Sequence, residues 1–182
     1  MSTTLSVSLY DETRGQRHLN VQSAIDEHLA LEALSDDYRW DCPQSCGHEK
    51  AVQYPIMSAQ PVVLWIHLKR WEWIANSGHV KLIDHEVDPS ESLQVGDVRY
   101  ILQSVVIHQG EKPETGHYVA IVRSFRSNGL DEWWLCNDTV VQKVSSIREY
   151  IRTVNHNIVN ALRLIAKVYI LFYQRADCQF GQ

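Results

Sequence analysis

The chain has 182 residues, of which 45% are hydrophobic and 21% charged, as expected for one soluble globular domain with its own core. Its net charge of −5 and the lack of a basic block exclude nucleic acid or an anionic membrane as the main partner. No apolar run reaches membrane-spanning length, and the first residues lack the layout of a secretory signal, so we expect no membrane association. Four cysteines are too few for a disulfide framework and favour a reducing compartment, the cytoplasm and/or the nucleus.

The first predicted elements are a strand and a helix. The alternating sequence TTLSVSLYD predicts a short strand. The segment AIDEHLALEAL has apolar residues at helical spacing, and the residue before it, Ser23, stands three positions before Asp26, which approximates a capping box. We therefore predict a helix with Ser23 as its N-cap. The segment WDCPQSCGHEK, which carries proline and glycine, predicts a tight turn.

The rest of the chain is rich in strand-forming residues. Five segments read as strands: PVVLWIHLKRWEW, VRYILQSVVIHQG, HYVAIVRSF, EWWLCND and KVYILFYQR. Their valine, isoleucine, tyrosine and tryptophan content, with short turns between them, predicts an antiparallel sheet of five or six strands. Between residues 145 and 167 the spacing of apolar residues predicts one long helix that leads into the last strand. The fold class is therefore α+β.

One histidine lies where chemistry is plausible, at the junction of a polar loop and a strand. His117 begins the segment HYVAIVRSF, and Asn137 ends the segment EWWLCND. If these are neighbouring strands joined by the turn RSNGLDE, the two side chains meet at one end of the sheet. An amide beside a histidine fixes its tautomer and orientation, as in Cys-His-Asn proteases, and Asp138 could accept a hydrogen bond or polarise a water. A lone histidine is more often a surface or core residue, and Asn-Asp more often a turn, so both interpretations stay open.

A second candidate is the pair Cys42 and Cys46. Two thiols could supply half of a tetrahedral zinc site, and His48 could add a third ligand, but structural zinc takes four. The other two cysteines stand alone in the sequence. Two free thiols in a turn are the plainer interpretation.

Four segments in order resemble the catalytic domain of the ubiquitin-specific proteases, a family of cysteine deubiquitinases. They are WDCPQSCGHEKAVQYPIMSAQPVVLWIHLKRW, VVIHQGEKPETGHYVAIV, WWLCNDTVVQKV and VYILFYQR, and the resemblance spans residues 5–175. It implies a papain-like fold: a palm with an antiparallel sheet and partial fingers, with the thumb absent. It also implies one partial domain over residues 1–182, with a strand and helix of palm and fingers in 5–41, half a zinc ribbon in 42–60 and the palm sheet in 61–175.

The resemblance assigns roles to the residues that match its motifs. His117 resembles the general base, Asn137 the residue that orients it, and Asp138 the acid that can assist the oxyanion or the histidine. The residues that resemble the surroundings of the ubiquitin tail are His108, Gly110, Gly116 and Tyr118. Cys42 and Cys46 resemble the second half of the zinc ribbon; zinc is possible there but the site is incomplete, and catalysis itself needs no cofactor.

The departures from the family pattern decide between hypotheses. None of the four cysteines lies in a sequence that resembles the family's nucleophile box, and Cys136 is expected to point away from the site. The leading hypothesis is a ubiquitin-specific protease domain that hydrolyses ubiquitin isopeptide bonds, present here as the His/Asn half without the nucleophile. Its partners would be ubiquitin or ubiquitinated proteins, with an N-terminal half or a partner chain missing.

Two alternatives remain. One is a catalytically inactive, deubiquitinase-like module that binds ubiquitin or scaffolds a complex. The other is an unrelated zinc module built on Cys42, Cys46 and His48. A half-domain should also expose apolar patches, with Trp65, Trp71 and Trp73 as candidates.

Overall fold

A computed structural model describes residues 4–11, 15–33, 40–41, 48–49, 52–57, 59–74, 78–112, 114–124, 131–156, 158–159, 162–163 and 165–178. Its main element is an eight-stranded sheet. In chain order the strands are β1 Thr4–Val7, β2 Val63–Leu68, β3 Ser92–Val95, β4 Val98–Lys112, β5 Thr115–Ser124, β6 Glu132–Asn137, β7 Val140–Val144 and β8 Ala166–Arg175. The two helices of the described residues are α1 Val21–His28 and α2 Ile147–His156.

The sheet is mixed, which corrects the prediction of an antiparallel sheet. Its order is β1-β2-β8-β4-β5-β6-β7, and β3 pairs with the start of β4. The pairs between β2 and β7 are antiparallel, but β1 runs parallel to β2. Antiparallel neighbours can be joined by hairpins, whereas a parallel pair needs a long crossover, here residues 8–62. The sequence between β1 and β2 contains α1, and no local pattern reveals the direction of that pairing.

Alternation along the strands places one face of the sheet in the core. On β4 the buried residues Leu102, Val105 and Ile107 pack with Leu64 and Ile66 of β2 in one hydrophobic cluster. Both helices contribute to it, α1 through Val21, Ala24 and Ile25 and α2 through Ile147. The core therefore lies on the face of the sheet that these helices cover.

The predicted strand PVVLWIHLKRWEW is two strands. β2 ends at Leu68, and Trp71–Ile74 pairs instead with His79–Leu82 in a separate two-stranded ladder. The break holds Arg70, whose side chain is 1% exposed and donates to the carbonyl oxygens of Val168, Ile83 and His85 at 2.9, 3.1 and 2.7 Å. The buried guanidinium ties three segments together at the point where the chain leaves the sheet.

Helix α1 begins earlier than the capping pattern predicts. Its N-cap is Asn20, not Ser23: Asn20 has extended backbone, and its side-chain oxygen accepts from the backbone N–H of Ser23 at 2.8 Å. The helix ends at His28, and Glu32–Ala33 pairs as a short strand with Val52–Gln53. Pairing with a distant segment thus ends the helix before its apolar pattern does.

Helix α2 is also shorter than predicted. It ends at His156, and the residues expected to continue it form the short paired strands Ile158–Val159 and Leu162–Arg163. The side chain of Asn155 accepts from the N–H of Ala166 at 2.7 Å and donates to the carbonyl of the same residue at 3.3 Å. This amide fastens the helix end to the first residue of β8.

The remaining short ladders join Tyr10–Asp11 to Gln16–Arg17 and Trp40–Asp41 to His48–Glu49. Two of the three tryptophans predicted to be exposed are so, Trp65 at 42% and Trp73 at 64%, whereas Trp71 is partly buried. No helix in the described part of the chain is long and apolar enough to cross a membrane.

Candidate functional site

His117 lies near the start of β5, where the chain enters the sheet. On this strand Val119 and Ile121 are buried, and a strand presents every second residue on one face. His117 therefore lies on the core-facing side, at the end of that face, and its side chain is 42% exposed. The backbone of His117 is held in the sheet, while its imidazole remains open to solvent.

Asn137 reaches the same place from the neighbouring strand. It is the last residue of β6, and the antiparallel register pairs Ile121 with Leu135 and Ala120 with Cys136. Parity then puts Asn137 on the face of His117 and at the same end of the sheet. His117 Nε2 and Asn137 Oδ1 are 2.6 Å apart, so the two side chains meet as their spacing in the sequence predicts.

This hydrogen bond determines which ring nitrogen can act as a base. An amide oxygen only accepts, so with Asn137 Oδ1 as the partner Nε2 carries the proton. The lone pair of the neutral ring then sits on Nδ1. The geometry therefore prepares Nδ1 to accept a proton.

Asp138 lies next to this pair in a more exposed position. Its carboxylate Oδ2 is 3.8 Å from His117 Nε2, and its side chain is 77% exposed. It follows β6 in the turn to β7, with a left-handed φ of 50°. At this distance it contributes a negative field near the ring and no hydrogen bond.

His108 lies on the opposite face of the sheet from His117. Its cross-strand partner is Tyr118, and its ring packs edge-on against Trp71 at a centroid distance of 5.1 Å and tilted against Tyr118 at 4.8 Å. It is 2% exposed, and burial lowers its pKa below the usual value. Among the described residues its Nε2 has no hydrogen-bond partner. His108 is thus a buried, neutral side chain and not part of the solvent-facing site.

The two predicted glycines pack against this buried imidazole. A Cβ at Gly116 would lie 2.4 Å from His108 Nε2, and one at Gly110 would lie 3.0 Å from His108 Cε1. Gly116 also has a φ of 152°, where other residues are strained. Close packing within the chain therefore accounts for both glycines. Tyr118, 48% exposed, remains accessible to a ligand on the face away from His117.

The cysteines of the described residues lie away from the imidazole. Cys136 pairs with Ala120, so parity places it on the face opposite His117 and Asn137, as the sequence predicts. Cys42 and Cys46 lie outside the described residues, and His48 lies in a two-residue strand. Two thiols and one imidazole fall short of the four ligands of a structural zinc. No step of the chemistry below depends on zinc.

The structure adds a neighbour of His117 that the sequence analysis missed. Gln109 is the direct cross-strand partner of His117, is 9% exposed, and its Nε2 lies 2.8 Å from the hydroxyl of Tyr150 on α2. The signal was present in the hairpin, because pairing through the loop that follows Gly110 puts residue 109 opposite residue 117. The contact with α2 has no sequence signal.

Comparisons with known proteins identify the family of this chain. Residues 10–173 match the family model described as ubiquitin carboxyl-terminal hydrolase. Ubiquitin carboxyl-terminal hydrolase 12 of Salmo salar is 31% identical over 157 residues, which are 80% of this chain and 40% of that protein. The probable ubiquitin carboxyl-terminal hydrolase creB of Aspergillus flavus is 27% identical over 173 residues, 90% of this chain and 22% of that protein.

Solved structures show the same fold. A chain of the SAGA Ubp8/Sgf11/Sus1/Sgf73 DUB module bound to ubiquitin aldehyde superposes with a TM-score of 0.68 at 22% identity. A SAGA DUB module bound to monoubiquitin gives 0.69 at 24%. In both cases the match covers 97% of this chain and 36% of the other, so the chain spans well under half of the relatives it matches. Its papain-like α+β fold and the family match over residues 10–173 together show that the chain belongs to the ubiquitin carboxyl-terminal hydrolase family.

Proposed function

We propose that residues 1–182 form the histidine side of a thiol-dependent deubiquitinating site that hydrolyses isopeptide bonds at the C-terminus of ubiquitin. The observation that carries the proposal is the 2.6 Å hydrogen bond between His117 Nε2 and Asn137 Oδ1 at a solvent-open end of the sheet. A histidine oriented through one nitrogen, with the other available, is the arrangement that activates a nucleophile.

In the proposed reaction His117 Nδ1 takes the proton of a cysteine thiol, and the thiolate attacks the carbonyl carbon of the last ubiquitin glycine. The imidazolium then gives that proton to the leaving lysine amine as the carbon–nitrogen bond breaks and a thioester remains. Water, deprotonated by the same imidazole, hydrolyses the thioester and regenerates the thiol. Asn137 keeps the ring oriented throughout, and the Asp138 carboxylate lies 3.8 Å from Nε2.

The thiol itself is proposed to come from polypeptide outside these residues. Among the described cysteines, Cys136 lies on the opposite face of the sheet from His117. A thiol must lie within hydrogen-bond reach of the base, and a strand residue on the wrong face does not achieve this without a change of register. An in-frame upstream segment or a partner chain would complete the site.

Ubiquitin as the substrate is supported by the family and by the solved relatives. The matched modules are described as bound to ubiquitin aldehyde and to monoubiquitin. On this chain Gly110 and Gly116 flank the turn that precedes His117, and we propose that the ubiquitin tail passes along this turn to the imidazole, on the face of β5 opposite the ring of Tyr118. In this proposal His108 packs against Gly116 from the opposite face of the sheet and does not touch the ubiquitin tail.

The test uses a ubiquitin C-terminal electrophile that traps thiols. The 182-residue chain alone should form no adduct, whereas the longest in-frame polypeptide that adds a nucleophile box should form one and hydrolyse a ubiquitin conjugate. In that polypeptide His117→Ala should lower kcat by about 10²- to 10⁴-fold, the range for loss of a general base. Cys136→Ala should leave both reactions unchanged. An adduct on the 182-residue chain that Cys136→Ala abolishes would overturn the proposed source of the thiol.

A second candidate is a ubiquitin-binding module without catalysis. The placement of Cys136 on the face away from His117 favours it, because that thiol is not available to this imidazole. Titration of the 182-residue chain with unmodified ubiquitin separates the two. Saturable binding, together with the absence of any in-frame nucleophile box, supports the binding module, and hydrolysis by the longer polypeptide excludes it.

A further inference from the structure

The imidazole of His117 has a second polar neighbour besides Asn137. Gln109 and His117 are direct partners across the β4/β5 hairpin, and the next pair on the same face, Ile107 and Val119, is buried. Side chains of directly opposed residues lie on one side of the sheet with their Cβ atoms about 4.5–5.5 Å apart. The side chains of Gln109 and His117 therefore leave the sheet next to each other on its core-facing side.

Gln109 is itself held in place by a helix. Its Nε2 lies 2.8 Å from the hydroxyl of Tyr150 on α2, and only 9% of Gln109 is exposed. Burial raises the pKa of Tyr150, so its hydroxyl stays neutral and can accept this hydrogen bond. A glutamine side chain has several rotamers, and a buried hydrogen bond selects one of them.

The helix that carries Tyr150 is fastened at both ends. Near its start Arg148 forms an ion pair with Asp88, and near its end the amide of Asn155 bonds both backbone groups of Ala166. Tyr150, Ile151 and Val154 pack against the core cluster between these points. The position of Tyr150 is therefore fixed, and its hydroxyl orients the side chain of Gln109.

We propose that Gln109 and Tyr150 are positioning residues for His117, an inference that rests on the proposed role of His117 as the base. Asn137 holds one edge of the imidazole through Nε2, and the carboxamide of Gln109, fixed by Tyr150, limits rotation of the ring about its side-chain bonds. With both supports the Nε2–H tautomer predominates and Nδ1 faces the position a thiol would occupy. Neither Gln109 nor Tyr150 touches the reacting atoms.

The test measures the ring of His117 directly in the 15N-labelled 182-residue chain. The nitrogen chemical shifts of the neutral imidazole report the populations of its two tautomers. Tyr150→Phe removes only the hydroxyl, and Gln109→Leu removes the carboxamide at similar size. We expect each variant to raise the Nδ1–H population by about twofold or more, as for residues coupled in one hydrogen-bonded network.

Tyr100→Phe is the matched control. Tyr100 lies on the same strand, β4, and its buried hydroxyl donates to the carbonyl of Pro61 at 2.9 Å. This variant should lose a comparable hydrogen bond and stability while the His117 tautomers stay unchanged. Equal tautomer populations in wild type, Tyr150→Phe and Gln109→Leu would overturn the proposal, and Tyr150→Phe alone decides if Gln109→Leu does not fold.

This readout needs neither a thiol nor ubiquitin, so it separates the two proposals. Suppose that the variants shift the tautomers but the longer polypeptide with a nucleophile box hydrolyses no ubiquitin conjugate. Gln109 and Tyr150 would then keep their positioning role, and His117 would lose its proposed role as the base. Hydrolysis without any tautomer shift would support His117 as the base and remove the positioning role of Gln109 and Tyr150.

Discussion

Arg70 and His108 are both buried basic side chains, but they differ in how their polar groups are hydrogen-bonded. Arg70 is 1% exposed and donates three hydrogen bonds to carbonyl oxygens of two other segments, β8 and residues 83–85. His108 is 2% exposed, and its Nε2 has no hydrogen-bond partner among the described residues. The first residue holds the fold together, and the second supports the loop that leads to His117.

The difference follows from what each side chain touches. Burial lowers the pKa of Arg70 to about 10, so at neutral pH it stays charged and needs its carbonyl partners. Burial also lowers the pKa of His108, which becomes neutral and can tolerate an apolar cage. An unpaired buried polar atom costs stability, and such costs are often found next to functional sites.

The largest effect is expected from breaking the Arg70 contacts. Arg70→Met removes three hydrogen bonds to backbone carbonyl oxygens, one of them buried, and we expect a loss of about 3 kcal/mol or more in the free energy of unfolding. Urea unfolding followed by circular dichroism measures it. Arg99→Met on the exposed side of β4 is the control and should stay within about 0.5 kcal/mol of wild type. A similar small loss for Arg70→Met would contradict the role of Arg70 as a fold-holding residue.

The second largest loss of stability is expected from adding a methyl group at Gly116, next to His108. Gly116→Ala brings a methyl group to 2.4 Å from His108 Nε2 and strains a φ of 152°, so we expect a loss of about 2–3 kcal/mol. Gly78→Ala is the matched control, because it has a φ of 64° and nothing within 4 Å, and should cost about 1–2 kcal/mol. Chemical unfolding compares the two.

The double variant His108→Ala/Gly116→Ala sharpens this result. Removing the imidazole makes room for the new methyl group, so Gly116→Ala should cost less in the His108→Ala background than in wild type. An equal cost in both backgrounds would mean that backbone strain and the Gln109 carbonyl oxygen, 2.8 Å from the added methyl group, require the glycine without His108.

A smaller effect is expected in the pH dependence of stability. The pKa of folded His108 lies below its unfolded value, so between the two the unfolded state binds more protons, and stability must fall as pH falls below about 6.5. His108→Leu should make this fall shallower in unfolding experiments across acidic pH. Tyr118→Phe keeps the imidazole and its cage and should retain the wild-type slope. An unchanged slope in His108→Leu would show that His108 is not the group responsible.

The smallest change in stability is expected at Asp138, the exposed residue of the site. Asp138→Asn removes a carboxylate that is 77% exposed and 3.8 Å from His117, and surface pairs of this kind contribute little, so stability should change by no more than about 0.5 kcal/mol. If the proposed function holds, the same substitution in the longer polypeptide should nevertheless lower kcat, because a carboxylate 3.8 Å from the His117 ring is removed. A larger loss of stability than for Gly78→Ala would place Asp138 with the fold-holding residues.

The sequence by itself determined the convergence of His117 and Asn137, and its resemblance to the family implied the orientation of Cys136. These features follow from alternation along two consecutive strands, and a hairpin fixes its register from residues that are close in the chain. The ordered motifs likewise predicted the family and its α+β fold, and four segments at compatible spacing carried more information than any single residue.

Only the tertiary structure decided the ends of α1 and α2, the parallel pairing of β1 with β2, the burial of His108 and the contact between Gln109 and Tyr150. Except at the end of α2, which a local strand pair follows, the outcome depends on segments far apart in the chain: Glu32–Ala33 pairs with Val52–Gln53, and Tyr150 reaches a strand 41 residues earlier. Local propensity differs by less than a kilocalorie per residue, whereas burial and long-range hydrogen bonds act together and override it. That is why the alternation of two consecutive strands predicts that His117 meets Asn137 but does not predict which residues support them.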